Sequence, residues 1–84
     1  MTRIIKTNGN EVITSPKNGS NFSLGEMQKI VGGWIEVVTL RNGQLMVVNE
    51  EGKMIGLPYN QAASILCGQP VVGDVLVCDS EQIK

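Results

Sequence analysis

The residues whose types and positions suit binding chemistry are Trp34, Glu36, Arg41, Asn49, Lys53, Tyr59 and Asn60. Glu36 lies in an apolar run, IEVV, where a carboxylate is costly to keep charged unless it is paired; such groups mark functional sites. It can equally sit at a sheet margin, hydrogen-bonded to Asn49 or to a helix end. Asn49-Glu50-Glu51-Gly52-Lys53 concentrates charge in one turn. Two adjacent carboxylates suit a hard cation, but the repeated Asp/Asn ligands of a calcium loop are missing, and a solvated turn is the simpler reading. Gly56-Leu57-Pro58-Tyr59-Asn60 leads from an extended segment into a helix. Backbone amides at that start can receive an anion and Tyr59 can stack on a ring; the plainer reading is an Asn cap. Trp34 either packs in the core or joins Met46, Met54 and Tyr59 in an interface anchor.

Catalytic chemistry finds little support. The chain contains no histidine, which removes the Ser-His and Cys-His pairs and the commonest metal ligand. Its two cysteines, Cys67 and Cys78, cannot complete a structural zinc site within one chain. They are read as free thiols, and Cys67 would need an adjacent cation to become a nucleophile. The expectation is a non-enzyme with no cofactor, no metal ligand and no catalytic residue.

Those residues must be positioned by a small fold. Eighty-four residues, 42% hydrophobic and 18% charged, give one ordinary globular domain. With one Phe, one Trp and one Tyr, its core falls to aliphatic side chains and Met. Net charge is −1 and no basic stretch occurs, so the electrostatic footprint of nucleic-acid binding is missing. The first residues lack a secretory pattern, and no apolar run approaches the ~20 residues of a membrane span. The cytoplasm is the expected compartment.

Arg3–Lys6 and Glu11–Thr14, joined by Thr7-Asn8-Gly9-Asn10, read as a first hairpin, closed by the turn-rich stretch to Asn21. Ser23 and Glu26 form an S-x-x-E capping box, with Phe22 and Met27 placed as a hydrophobic staple. Leu24, Met27, Ile30 and Val31 line one side of that helix, and Gly32-Gly33 end it.

From Gly32 to Pro58 the chain reads as a β-meander. A two-residue type I′ turn at Asn42-Gly43 would pair Leu40 with Leu45, Val38 with Val47 and Glu36 with Asn49. Gly52 would supply positive φ in the next turn, and Met54–Leu57 would form a third strand. Both faces of this hairpin are apolar. One helix covers only one of them, so the second needs the Leu57–Cys78 half of the chain or another copy. Asn60 caps a short helix, Gln61–Cys67, stopped by Gly68 and Pro70. Val71–Asp74 is then a turn into Val75–Cys78, a four-residue apolar run that reads as a strand inside the sheet. Asp79–Lys84 reads as a polar tail.

The blocks VGG-W-IEVV, LMVVNEEGKMIGLPYN-x-A and VVGDVLV resemble domain-of-unknown-function family three-eight-four-six over about Ser23–Val77. Trp34 stands where that family often has Tyr. The resemblance implies a protein encoded by a phage or mobile element and imports no site residue. Phage proteins of this size are often inhibitors, decoys or sponges for host defence signals.

The expectation is therefore an α+β fold, an antiparallel sheet of about five strands with the meander at its centre, one main helix and one short C-terminal helix. It is one domain over 1–84, with a hairpin and loop over 1–21 and a family-like core over 22–78. Function is expected to be binding: a non-catalytic protein, inhibitor or accessory factor, meeting a host protein and itself as a homo-oligomer. The alternative is an oligomeric sponge for a small anionic ligand such as a nucleotide, held by Arg41, Lys53 or Tyr59 across a subunit boundary. Nucleic acid and membrane are not expected partners.

Overall fold

Three Asn-Gly turns set the local geometry. In each, the Gly N–H donates to the carbonyl three residues back: Gly9 to Lys6, Gly19 to Pro16 and Gly43 to Leu40, each at 3.0 Å. The Asn Oδ1 accepts the N–H two residues on, from Asn10, Ser20 and Gln44, each at 2.9 Å. The Asn side chain thus fixes the turn, and Gly supplies the left-handed residue that follows.

The computed structural model describes residues 2–83; Met1 and Lys84, the last residue of the expected tail, lie outside them. The elements are β1 (Arg3–Ile5), β2 (Glu11–Ile13), α1 (Leu24–Val31), β3 (Ile35–Thr39), β4 (Leu45–Asn49), α2 (Gln61–Cys67) and β5 (Val75–Cys78). The five strands form one antiparallel sheet in the order β2-β1-β5-β4-β3, the expected α+β class. The β3–β4 hairpin is not at the centre. All four residues of β5 are buried, so this strand takes the middle and the hairpin ends at an edge.

The hairpin register also differs from the type I′ expectation by one residue. Thr39 pairs with Leu45, Val38 with Met46, Val37 with Val47, Glu36 with Val48 and Ile35 with Asn49. Leu40 N–H donates to Gln44 at 2.8 Å, so Arg41, Asn42 and Gly43 form a three-residue loop. Only Gly43, at φ +87°, is left-handed; type I′ would require Asn42 to be so as well. A one-residue shift changes which residues share a face. Glu36 therefore does not face Asn49.

The sheet is covered on both sides by its own chain. Against one face, α1 and its flank place Phe22, Met27 and Val31 on Val47, Leu76 and Cys78. Against the other, α2 and its exit place Ala63 and Val71 on Ile5, Met46, Val75 and Val77. The second apolar face is thus closed by the C-terminal half, without another copy. Cys67 packs with the α2 cluster and Cys78 with the α1 cluster, so the sheet separates two free thiols.

The capping box forms as expected: Ser23 Oγ accepts Glu26 N–H at 3.1 Å and Glu26 Oε1 accepts Ser23 N–H at 2.9 Å. Phe22 and Met27 meet in one buried cluster, and Gly32 closes α1 in the left-handed conformation at φ +81°.

Three expectations fail around the long turn and the C-terminus. Met54–Leu57 is not a strand: Ile55 N–H bonds to Glu51 and Leu57 N–H to Gly52, both 3.0 Å, so its hydrogen bonds stay local. Gly52 is not left-handed; a Cβ there would stand 2.9 Å from Val72 Cγ2, so close packing requires Gly. Residues 79–83 are not a loose tail. Ser80–Gln82 make a 3-10 turn, Gln82 accepts Phe22 N–H at 2.7 Å, and Ile83 packs against the α1 cluster.

Candidate functional site

Asn60 looks from the sequence like a cap with a surface role, and the fold buries it completely. Its Oδ1 accepts Ala63 N–H at 3.0 Å. Its Nδ2 donates to Ile5 at 3.0 Å and to Gly73 at 2.8 Å, and its backbone N–H reaches Val71 at 2.8 Å. Gly73 N–H also donates to Pro58 at 2.7 Å, and Tyr59 and Val72 form a β-bridge. Residues 71–73 are therefore clasped to 58–60 rather than forming a free turn. Asn60 has no group left for a ligand; it joins β1, α2 and the approach to β5.

Asn49 is likewise structural. Its Nδ2 donates to Val31, the last residue of α1, at 3.1 Å, and its Oδ1 accepts Glu51 N–H at 2.8 Å. It satisfies a helix-end carbonyl that would otherwise lack a partner. The expected cross-strand pairing of Glu36 with Asn49 fails, because Glu36 pairs with Val48 and Asn49 with Ile35; both residues nevertheless border one cleft.

The remaining candidates separate into three places. A cleft of about 300 Å³ opens on the α2 side of the sheet, lined by Glu36, Val38, Val48 and Asn49, by Glu50, Lys53 and Met54 from the long turn, and by Cys67 at the end of α2 with Gln69 and Pro70 beyond it. Trp34 lies beside it. Glu50 N–H donates to Trp34 at 2.8 Å, which extends the β3–β4 ladder and gives Trp34 the parity of Glu36. The indole is 61% exposed and Met54 is 84% exposed, so Trp34 is not a core residue. Gly32-Gly33 explain this: the chain leaves α1 through two glycines and delivers Trp34 at the outer strand, past the helix.

Arg41 is not part of this group. It sits in the loop at the far end of β3, ~20 Å from Trp34 at the usual rise per strand residue. Tyr59 is exposed and lines none of the cleft. Sequence reasoning named Met54 as an anchor beside Trp34 but assigned it to a strand, missed Gln69, and read Pro70 only as a helix stop. The signal for Met54 was Gly56, whose left-handed φ of +73° breaks an extended run.

Electrostatically the cleft carries two carboxylates, Glu36 and Glu50, against one ammonium, Lys53. Among the described residues no group of three His, Cys, Asp or Glu side chains is arranged to hold a metal ion, and no helix is long and apolar enough to cross a membrane. The thiol of Cys78 is pushed up to about 11 by burial, with a further push from the Asp79 carboxylate. It stays protonated and unreactive near neutrality. The arrangement can grip a surface with exposed apolar anchors and mixed charge.

No curated protein and no solved structure matches the chain. A family model, by contrast, matches residues 1–83. The match takes in the β1–β2 hairpin that the quoted motifs left outside, as expected of a strand pair hydrogen-bonded to central β5. The chain belongs to the family described as Domain of unknown function (DUF3846).

Proposed function

We propose that this is a non-catalytic protein of a phage or related mobile element that acts by binding a host protein, as an inhibitor or accessory factor. The mobile-element origin rests on the sequence resemblance. The binding reading rests on one observation: Trp34 and Met54 stand exposed at the same end of the β3–β4 hairpin, beside a cleft rimmed by Glu36, Glu50 and Lys53. Exposed Trp is enriched among the residues that dominate interface energetics, and flexible Met adapts to varied binding surfaces. Mixed charge around them sets orientation and suppresses wrong partners.

The test is affinity capture from host lysate, followed by reconstitution with the purified partner. The expected result is one host protein retained by the parent and lost on W34A/M54A, with thermal unfolding unchanged. Capture of no protein, or capture indifferent to both substitutions, would sink the reading.

The second reading, an oligomeric sponge for a small anionic ligand such as a nucleotide, draws on Lys53 at the cleft. In a single chain two carboxylates outnumber that ammonium and Arg41 is remote, so this reading requires a second chain to bring its arginine. A thermal-shift screen with cyclic and linear nucleotides tests it. A bound ligand raises the unfolding temperature with the logarithm of its concentration above Kd.

A further inference from the structure

The outer edge of β3 carries a self-complementary set of backbone groups. Leu40 N–H bonds to Gln44 and Glu50 N–H to Trp34, so the even-numbered residues from Trp34 to Leu40 direct their N–H and C=O groups inward to β4. The alternation of antiparallel ladders then turns those of Ile35, Val37 and Thr39 outward. β3 contains no Pro, no Lys and no left-handed residue, and β-branched residues fill four of its five positions. Natural edges are usually blunted by such devices. β2, at the opposite edge, is only three residues long and turns outward only Glu11 and Ile13.

We propose that two copies of the chain pair through β3, antiparallel about a two-fold axis at Val37, extending the sheet from five strands to ten. The pairing shares Trp34 with the host-protein reading, and V37K, which leaves Trp34 and Met54 in place, separates the two. The axis matches Val37 with Val37 and Ile35 with Thr39 of the partner subunit, giving about six hydrogen bonds from three outward residues on each strand. Glu36 then faces Val38 of the partner subunit. The neighbouring register toward the N-terminus would set Glu36 against its own copy, a like-charge pair; the one toward the C-terminus would leave Ile35 outside the strand pairing. Val37 is 41% exposed and becomes covered at the axis. A two-fold contact also closes, where β2 pairing with β3 would propagate into filaments.

The same axis places Trp34 opposite Leu40 of the partner subunit. It thereby brings Arg41 of the partner subunit, remote within one chain, alongside the indole and the Glu36 carboxylate. A guanidinium over an indole face is a favourable contact, and each cleft acquires a second cation from the other copy.

Light scattering after size exclusion is expected to give twice the 9.1 kDa chain mass at high micromolar concentration, with dissociation on dilution. V37K sets two ammonium groups opposite each other and should return the mass to one chain while keeping cooperative unfolding. V37C places two thiols with Cα atoms about 5.5 Å apart, so mild oxidation should cross-link it far faster than the parent. Loss of dimer affinity on W34A and R41A should be less than additive when combined. A monomeric parent at the highest concentration, a dimeric V37K, or V37C cross-linking no faster than parent would each overturn the β3 dimer. Strict additivity would overturn the placement of Arg41.

Discussion

The Nδ2 of Asn60 donates to the carbonyl of Ile5 at 3.0 Å, across 55 positions of sequence. The same amide holds Gly73 at 2.8 Å while its oxygen caps α2. One side chain thereby ties the first strand, the second helix and the entrance to the central strand.

Asn60→Ala should accordingly be among the most destabilising polar substitutions in the chain. It removes a cap, worth about 1 kcal/mol, and leaves two buried carbonyls without their donor, at about 1–3 kcal/mol each. Urea unfolding should show a loss of at least about 3 kcal/mol with unchanged m-value. Asn60→Asp keeps the cap acceptor but sets a buried carboxylate oxygen against the Ile5 and Gly73 carbonyls, so it should not rescue the loss at neutral pH.

Gly73 and Gly9 give a paired test of close packing. Both are left-handed, at φ +79° and +91°, but a Cβ on Gly73 would stand 2.8 Å from Leu57 Cδ1, while Gly9 has open space around it. Gly9→Ala should cost about 1 kcal/mol for backbone strain alone. Gly73→Ala adds a steric clash and should cost clearly more by thermal denaturation. Equal losses would mean that Leu57 moves aside freely.

Acid should weaken the α1 capping box. The Glu26 carboxyl is held below its ordinary value of 4.5, chiefly by the Ser23 N–H and next by the Lys17 N–H. A depressed folded-state pKa contributes stability above the unfolded value, lost as pH falls through the folded one. Glu26→Gln should therefore narrow the stability difference between pH 7 and pH 3, measured by thermal denaturation. An unchanged difference would remove Glu26 from the acid response.

The two thiols should behave differently toward alkylation. Cys67 is partly exposed and lines the cleft, whereas Cys78 is buried with its pKa raised to about 11. Iodoacetamide at pH 8 should label Cys67 first and Cys78 only on unfolding, as read by mass spectrometry. Because the folded-state value lies above the unfolded one, stability from the protonated Cys78 thiol is fully present below about 9. It is lost as pH rises toward 11, and Cys78→Ala should lack that alkaline component.

Local hydrogen bonding was legible in the chain itself. Ser23 with Glu26, Asn60 ahead of Ala63, and the glycines after α1 and α2 act within four or five residues, so their residue types suffice to place them. The apolar run Val75–Cys78 announced a strand covered on both faces. Asn42-Gly43 announced a turn but not its loop length, because two-residue and three-residue hairpin loops both accept that pair. Tertiary structure made that choice, with β5 seated against β4 and a helix over each face. The resulting one-residue difference pairs Glu36 with Val48 instead of Asn49.

The same division runs through the site. Trp34, Glu36 and Lys53 were recognisable as candidates by type, and the fold brought them to one end of the hairpin with Met54. Asn49 and Asn60 were recognisable too, but only the fold showed their amides consumed by Val31, Ile5 and Gly73. Sequence determined the elements because capping and turn formation are short-range. Tertiary structure decided burial and register, because these depend on which distant carbonyls and apolar faces each element meets.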